Sequence, residues 1–231
     1  MITVETIRER HSVREYDGKP LSRAEFDALI AVVEECARES GLDIQLVGDN
    51  PEVFNVIARF GLIRGCRTHV AFVVDDAKVG DVAADEAIGY WGQKIVLAAQ
   101  DMGLNTCWCA LCSRKKSHAA MAPGKKIRLI IAVGHGKTQG FSRKTKSVEA
   151  LSSVECAKAP AWFAAAMEAA QLAPTAMNNQ NFKITLLSDG KTVRIDAPQS
   201  GLNVIDEGIV RCNFEIAANE AGADWRWERD I

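Results

Sequence analysis

Residues 88–108 read IGYWGQKIVLAAQDMGLNTCW, and residues 207–227 read EGIVRCNFEIAANEAGADWRW. At an offset of 208 − 89 = 119 the two stretches match at Gly89/Gly208, Ala98/Ala217, Ala99/Ala218, Gly103/Gly222 and Trp108/Trp227. In the first, Ile88, Trp91, Ile95, Ala98, Ala99 and Met102 share one stripe of a helix predicted over Val82 to Met102. The small residues Gly89, Gly92, Ala98 and Ala99 let that helix approach another helix or a cofactor closely, and Gly103 ends it. The second stretch predicts a helix opened by Asp206, running through Gly208, Ile209, Phe214, Ile216, Ala217 and Ala218 to Gly222, then a strand from Ala223 to Trp227. Ala and Gly are common enough to match by chance. The tryptophan pair and the shared order of elements favour an internal duplication instead. Two similar halves in one chain often pack as a pseudo-two-fold pair.

Working outward, each half reads helix, loop, strands, long small-residue helix, strand. In the first half Ser22 and Glu25 form a capping box after Pro20, and Phe26, Leu29, Ile30, Val33 and Ala37 follow at helical spacing. Strands are expected at Asp43–Val47, Thr68–Val74, Asn105–Cys109 and Ile127–Val133. A polar, basic loop is expected from Gly134 to Lys146. In the second half Pro160 opens a helix with Trp162, Phe163, Ala166, Met167 and Ala170. Phe182–Leu187 and Val193–Ile195 make a hairpin around Asp189-Gly190. The expected fold is α+β, with halves 1–147 and 148–231 packed as one globular unit around central long helices.

Composition narrows the function. The chain has 231 residues, 48% hydrophobic and 25% charged, close to an average soluble protein and long enough to bury a sizeable core. A formal charge of −2 gives no basic field for a nucleic-acid backbone. The apolar runs Val70–Val74 and Leu129–Val133 fall well short of the roughly 20 residues of a membrane span. Met1-Ile2-Thr3-Val4-Glu5 lacks the basic-then-apolar pattern of a secretory signal, and seven cysteines is an odd number. The expectation is free thiols in a reducing, cytoplasmic compartment.

Three segments could carry chemistry. Arg10-His11-Ser12-Val13-Arg14 concentrates two guanidinium groups, an imidazole and a hydroxyl. Arginine presents a planar fork to phosphate oxygens, and an extended segment puts Arg10, Ser12 and Arg14 on one side. By composition alone such a run is usually a solvated basic segment. Ala173-Pro174-Thr175-Ala176-Met177-Asn178-Asn179-Gln180 is an amide-rich loop after a helix, which suits the edge of a heterocycle or an ordinary capped loop. Cys107, Cys109, Cys112 and His118 are spaced C-x-C-x2-C-x5-H but lack the second pair of a zinc module. They read as small apolar residues around a buried strand, and no metal is assigned. Gly136-Lys137-Thr138 resembles the end of a P-loop, but Ile131 stands where the earlier glycine is required.

Together these segments resemble the flavin-dependent nitroreductase superfamily. Arg10-His11-Ser12-Val13-Arg14, followed by Glu15-Tyr16-Asp17 and Pro20, resembles its N-terminal arginine–serine segment. Ala173 to Gln180 resembles its A-P-S-x-x-N-x-Q-P-W segment, with Asn181-Phe182 in place of the usual Pro-Trp. Leu97-Ala98-Ala99 through Gly103-Leu104 to Thr106-Cys107-Trp108 resembles its L-A-A…G-L-G-T-C-W helix and strand. Ordinary members carry the two segments close together; here they lie in different halves. That order is similar to a branch in which two family-like halves are fused, as are Ile205-Asp206-Glu207-Gly208-Ile209 and Phe214-Glu215-Ile216-Ala217, while Gly92-Gln93 replaces that branch's common Gly-Glu.

The resemblance implies FMN (flavin mononucleotide) and an intramolecular pseudo-dimer with one complete site. In homodimeric members one subunit supplies the arginine segment and the other the proline–asparagine segment. By that analogy Arg10 and Ser12 hold the FMN phosphate, with His11 beside them, and Arg14 lies near the pyrimidine end of the ring. Pro174, Thr175, Asn178 and Gln180 meet the ring or ribityl chain. Lys146, with Arg143 or Lys144, supplies a further basic phosphate contact, and Cys107 and Trp108 contribute mainly backbone near the ring. The reciprocal site is incomplete: Ser152-Ser153-Val154-Glu155 stands where arginines are wanted, and Arg38-Glu39-Ser40-Gly41 replaces the amide loop. The implied activity passes electrons from NADH or NADPH to a small nitro or quinone-like acceptor and needs no catalytic side chain. The alternatives are a non-catalytic flavin-binding protein and a relic of the fold without flavin. A monomer and a homodimer both fit.

Overall fold

The computed structural model describes residues 2–54, 63–154 and 158–228. It is a mixed α+β protein whose chain divides into two compact units. One holds Glu9–Asp81 and Lys94–Ser142; the other holds Ile2–Arg8, Val82–Gln93 and Arg143–Ile231. These units describe packing, whereas the halves 1–147 and 148–231 are expected from sequence matches alone. The two divisions need not coincide, and here the N-terminal helix and the first part of the long helix pack with the C-terminal unit.

In the first unit, helix α2 (Arg23–Ser40) starts as expected. Ser22 Oγ accepts from the Glu25 amide, and the Glu25 carboxylate accepts from the Ser22 amide at 2.8 Å, which draws the Glu25 carboxyl below its ordinary range. The helix buries Leu29, Val33 and Cys36, and Gly41 closes it at φ 71°. Among the described residues four antiparallel strands follow in the order β1-β2-β4-β3: β1 (Asp43–Val47), β2 (Thr68–Asp75), β3 (Asn105–Cys109) and β4 (Lys125–Gly134). Thr68 to Val74 are all buried, as their near-continuous apolar run requires. Trp108 on β3 stacks with Phe72 on β2 at 6.2 Å.

In the second unit, α1 (Val4–Glu9), α4 (Val148–Leu151), α5 (Ala161–Gln171) and α6 (Leu202–Glu220) accompany a three-stranded sheet of β5 (Lys183–Leu186), β6 (Thr192–Asp196) and β7 (Arg226–Trp227). Pro160 opens α5, and β5 and β6 form the expected hairpin. At its turn Asp189 accepts from the Thr192 hydroxyl and the amides of Thr192 and Lys191, which holds its carboxyl down at about 2. Trp162, Phe163, Phe214, Trp225 and Trp227 form a cluster of edge-to-face and stacked rings. Two expectations change. Helix α6 begins at Leu202, ahead of Asp206, because Gly201 at φ 61° turns the chain into it. The last strand shrinks to Arg226–Trp227, paired parallel with β6.

Helix α3 (Val82–Asp101) contributes its first part to this second unit. A Cβ on Gly89 would lie 2.0 Å from the Ile205 carbonyl oxygen, and a Cβ on Gly208 would lie 2.0 Å from that of Glu86. Ile205 and Glu86 are themselves one repeat offset apart (205 − 86 = 119). The contact is therefore reciprocal under the repeat, and it requires glycine on both helices. Beside it Gln93 donates to Asn213 Oδ1 at 2.9 Å, and Asn213 donates to the Ala169 carbonyl at 3.0 Å, all in buried surroundings. Among the described residues no helix is long and apolar enough to cross a membrane.

Candidate functional site

The arginine segment lies in the first unit, extended along β3. Ser12 bridges Thr106 in parallel register, and the Val13 amide donates to the Thr106 carbonyl at 3.0 Å. Further main-chain bonds hold the segment on both sides. Tyr16 N donates to Arg64 O, Arg64 N to Arg14 O, Asp17 N to His135 O, and Lys137 N to Glu15 O. Val13 and Tyr16 enter the core while Ser12 and Arg14 stay half-buried. Arg10 is buried, and that burial pushes its guanidinium down to about 10, partly offset by the nearby Cys107 thiol. A pKa of about 10 still leaves Arg10 charged at neutral pH.

The loop after β4 closes over this segment. A Cβ on Gly140, at φ 82°, would sit 2.7 Å from His11 Cβ; one on Gly136 would sit 2.8 Å from Val13 Cγ1. His11 shares hydrogen bonds with the Glu9 carbonyl through Nδ1 at 2.9 Å and with the Ser142 hydroxyl through Nε2 at 3.1 Å. Asn105 fixes the loop: its Oδ1 accepts from the Gly136 amide and its Nδ2 donates to Gln139 Oε1, both at 2.9 Å. Composition and spacing did not single out Asn105. Its position as the one amide, opening a buried strand, was the available signal.

The amide loop lies in the second unit. Here Met177, Asn178 and Gln180 adopt left-handed backbone (φ 53°, 58° and 46°). Asn tolerates that region; Met and Gln do so at a cost. Side chains hold the loop. Gln180 N donates to Thr175 Oγ1 at 3.0 Å, Gln180 Oε1 accepts from Lys146 N at 2.8 Å, and Lys146 Nζ donates to Gln180 O at 2.9 Å. Asn178 Nδ2 donates to Lys144 O at 2.9 Å. From α6 both Asp206 carboxylate oxygens accept the Ala176 amide, at 2.8 and 3.0 Å. Burial pushes the Asp206 carboxyl up to about 7. The sequence reading took Asp206 for a helix start; the structure makes it the anchor of the amide loop.

The structure thus gathers Arg10, His11, Ser12, Arg14, Cys107 and Trp108 along β3. Separately, it gathers Lys144, Lys146, Thr175, Asn178 and Gln180 around one loop. Pro174 is half-buried where α5 has ended, and Arg143 is exposed. Cys107 and Cys109 are buried on β3. Among the described residues no three His, Cys, Asp or Glu side chains gather as a metal site. Of the incomplete reciprocal segments, Arg38-Glu39-Ser40-Gly41 is an ordinary helix end. Ser152 bridges Ile184, and Glu155 lies outside the described residues.

A family model described as "Putative TM nitroreductase" matches residues 2–218. Among solved structures, a "putative nitroreductase" from Thermotoga maritima MSB8 is similar at 21% identity and TM-score 0.68, covering 96% of this chain and 85% of that one. A "putative nitroreductase in complex with FMN" from Desulfovibrio desulfuricans is similar at 20% identity and TM-score 0.50, over 64% of this chain and 94% of that one. A "Putative NADH dehydrogenase/NAD(P)H nitroreductase" from Parabacteroides distasonis ATCC 8503 matches at 21% identity and TM-score 0.50, over 66% and 95%. At these identities the likeness is one of fold. No curated protein matches the chain.

Proposed function

The chain belongs to the family described as "Putative TM nitroreductase", and from that premise we propose that it binds one FMN and transfers electrons from NADH or NADPH to a small nitro or quinone-like acceptor. The observation that carries the reading is Arg10: a buried guanidinium that keeps its charge, on a segment held in place by its backbone. A charged guanidinium offers a planar fork of donors that matches the oxygens of a phosphate monoester. The Ser12 hydroxyl stands two residues on with a further donor for a phosphate, while the His11 imidazole is held by the Glu9 carbonyl and the Ser142 hydroxyl. Gly136 and Gly140 keep the covering loop close without a side chain. This donor set fits the phosphate end of FMN.

The same reading gives Arg14 the pyrimidine end of the ring, where a cation stabilises the anionic reduced form. Pro174 and Asn178 meet the ring or ribityl chain. Thr175, Gln180 and Lys146 act mainly by holding that loop's shape, since their polar atoms already bind one another. Bound FMN supplies the redox chemistry, two-electron transfer between a reduced nicotinamide and the acceptor. The reciprocal Gly89–Gly208 contact supports descent from a duplicated half, and the missing arginines and amide loop of the reciprocal set support a single flavin per chain.

The test is the visible absorption spectrum of the purified protein after addition of FMN and desalting, followed by NADH and NADPH oxidation with a nitroaromatic and a quinone. One flavin per chain with rapid nicotinamide oxidation is the expected result. Two flavins per chain would overturn the single-site assignment. No retained flavin would overturn the FMN reading. Retained flavin without turnover would replace the enzyme with a flavin carrier.

A further inference from the structure

We propose that Cys109 and Cys112 form a redox-active dithiol that exchanges with small-molecule disulfides and closes to an intramolecular disulfide. The two cysteines are spaced C-x2-C where the chain leaves β3. Cys109 is the last residue of the strand and is buried; Cys112 is half-buried on the turn that follows, next to Leu111, which is 67% exposed. The turn is tightly held. As a thiol, Cys112 donates through Sγ to the Cys109 carbonyl at 3.5 Å, Ser113 N donates to Val53 O at 2.8 Å, and Arg114 N donates to Cys112 O at 3.0 Å. The Arg114 guanidinium reaches back to the Ala110 carbonyl at 2.8 Å and also hydrogen-bonds Cys112.

The two thiols hydrogen-bond each other, and their surroundings differ in the sense that exchange requires. The Cys109 thiol and the Arg114 charge stabilise a Cys112 thiolate and draw its pKa below the ordinary value against the effect of burial. Cys109, facing that thiolate and buried, is pushed far up and stays a thiol. Cys112 is thus the attacking sulfur and Cys109 the resolving one. Two other cysteines stand in contrast: burial pushes Cys36 up to about 11 and Cys66 to about 12. The exposed Lys115 and Lys116 beside the turn favour an anionic disulfide such as glutathione disulfide.

The chemistry balances. The Cys112 thiolate attacks one sulfur of the small disulfide, and the S–S bond breaks. One thiolate leaves and takes up a proton. Cys109 then loses its proton and attacks Cys112 Sγ, expelling the second small thiol. One small disulfide is reduced to two thiols as two protein thiols become one disulfide.

The experiment treats the full chain with glutathione disulfide, alkylates the remaining thiols and fragments the tryptic peptide. Cys107, Cys109 and Cys112 share the peptide spanning residues 95–114. The expected product has Cys107 alkylated, no fragment ions between residues 109 and 112, and Cys36 modified only after denaturation. Cys109→Ser should accumulate a glutathione mixed disulfide at Cys112 that wild type passes through only transiently. Cys112→Ser and Cys112→Ala should lose both products. Native alkylation of Cys36 would report misfolding of a variant, and the wild-type and Cys109→Ser results then decide. A disulfide that includes Cys107, equal labelling of Cys36 and Cys112, or no mixed disulfide in Cys109→Ser overturns the proposal. None of these readouts depends on flavin.

Discussion

Residues 10–17 are fixed by the main chain: Val13, Tyr16 and Asp17 donate to neighbouring backbones, and Arg14 and Glu15 accept from others. Residues 174–180 are fixed by side chains: Thr175, Asn178 and Gln180 bind the loop itself or residues 144–146, and Asp206 holds the Ala176 amide. The first arrangement rests on main-chain bonds, which substitution of the Ser12 or Arg14 side chain leaves in place. The second makes recognition and shape depend on the same atoms. Substitution should therefore separate binding from stability in the arginine segment and confound them in the amide loop.

The largest expected effect falls on binding. Arg10→Ala with Ser12→Ala removes a charged and a neutral phosphate donor, together worth about 3–4 kcal/mol, or roughly 100-fold or more in FMN affinity. Quenching of flavin fluorescence measures it. The thermal midpoint of the apoprotein should move less than in the loop variant described below. Unchanged affinity would sink the phosphate assignment.

The next effect belongs to the loop and follows pH. In the folded protein the Asp206 carboxyl titrates at about 7, above its ordinary 3.8. The fold therefore prefers the protonated carboxyl. Stability from this group is full below 3.8, falls as pH rises to about 7, and is flat above. The loss is on the order of a few kcal/mol. Asp206→Asn keeps an acceptor for the Ala176 amide and cannot ionise. Urea unfolding between pH 4 and 8 should show a slope in wild type that the variant lacks. Equal slopes would remove Asp206 from the account. Gln180→Ala comes third: it strands the Lys146 amide and removes the side-chain bond to the Asn178 carbonyl, costing about 2 kcal/mol of stability, and weakens FMN only as far as it loosens the loop.

The contrast also explains what was legible in the sequence. Local signals survived: the Ser22–Glu25 capping box, the Asp189-Gly190 hairpin turn and the buried strands depend on neighbouring residues, and all are present. The paired glycines have a steric reason: at Gly89 and Gly208 two backbones approach too closely for any Cβ. The fixed position of the arginine segment was not legible, since it rests on bonds to Thr106, Arg64 and His135, far along the chain. Asp206 was misread for the same reason. An acid near a helix start looks like a cap, yet this carboxylate caps a loop thirty residues away. The six-residue α1 is too short to leave a periodic pattern, and of the strand expected over Ala223 to Trp227 only Arg226–Trp227 forms.

The smallest prediction sharpens the contrast most directly. Met177 is 87% exposed and sits at φ 53°, in the middle of the amide loop. Nothing in its burial compensates the left-handed backbone, which costs a non-glycine residue about 1–2 kcal/mol. Glycine adopts that conformation freely but loses more chain entropy on folding, about 0.5–1 kcal/mol. Met177→Gly should therefore stabilise the protein by about 0.5–1 kcal/mol in urea unfolding. If the exposed methionine serves only to close the loop, FMN affinity rises slightly with the better-ordered backbone. If it packs on the bound ring, affinity falls while stability still rises. That opposite movement would show that even here one residue's binding role can be pulled apart from its structural cost, and would place the strain at residue 177 in the service of the flavin rather than of the loop.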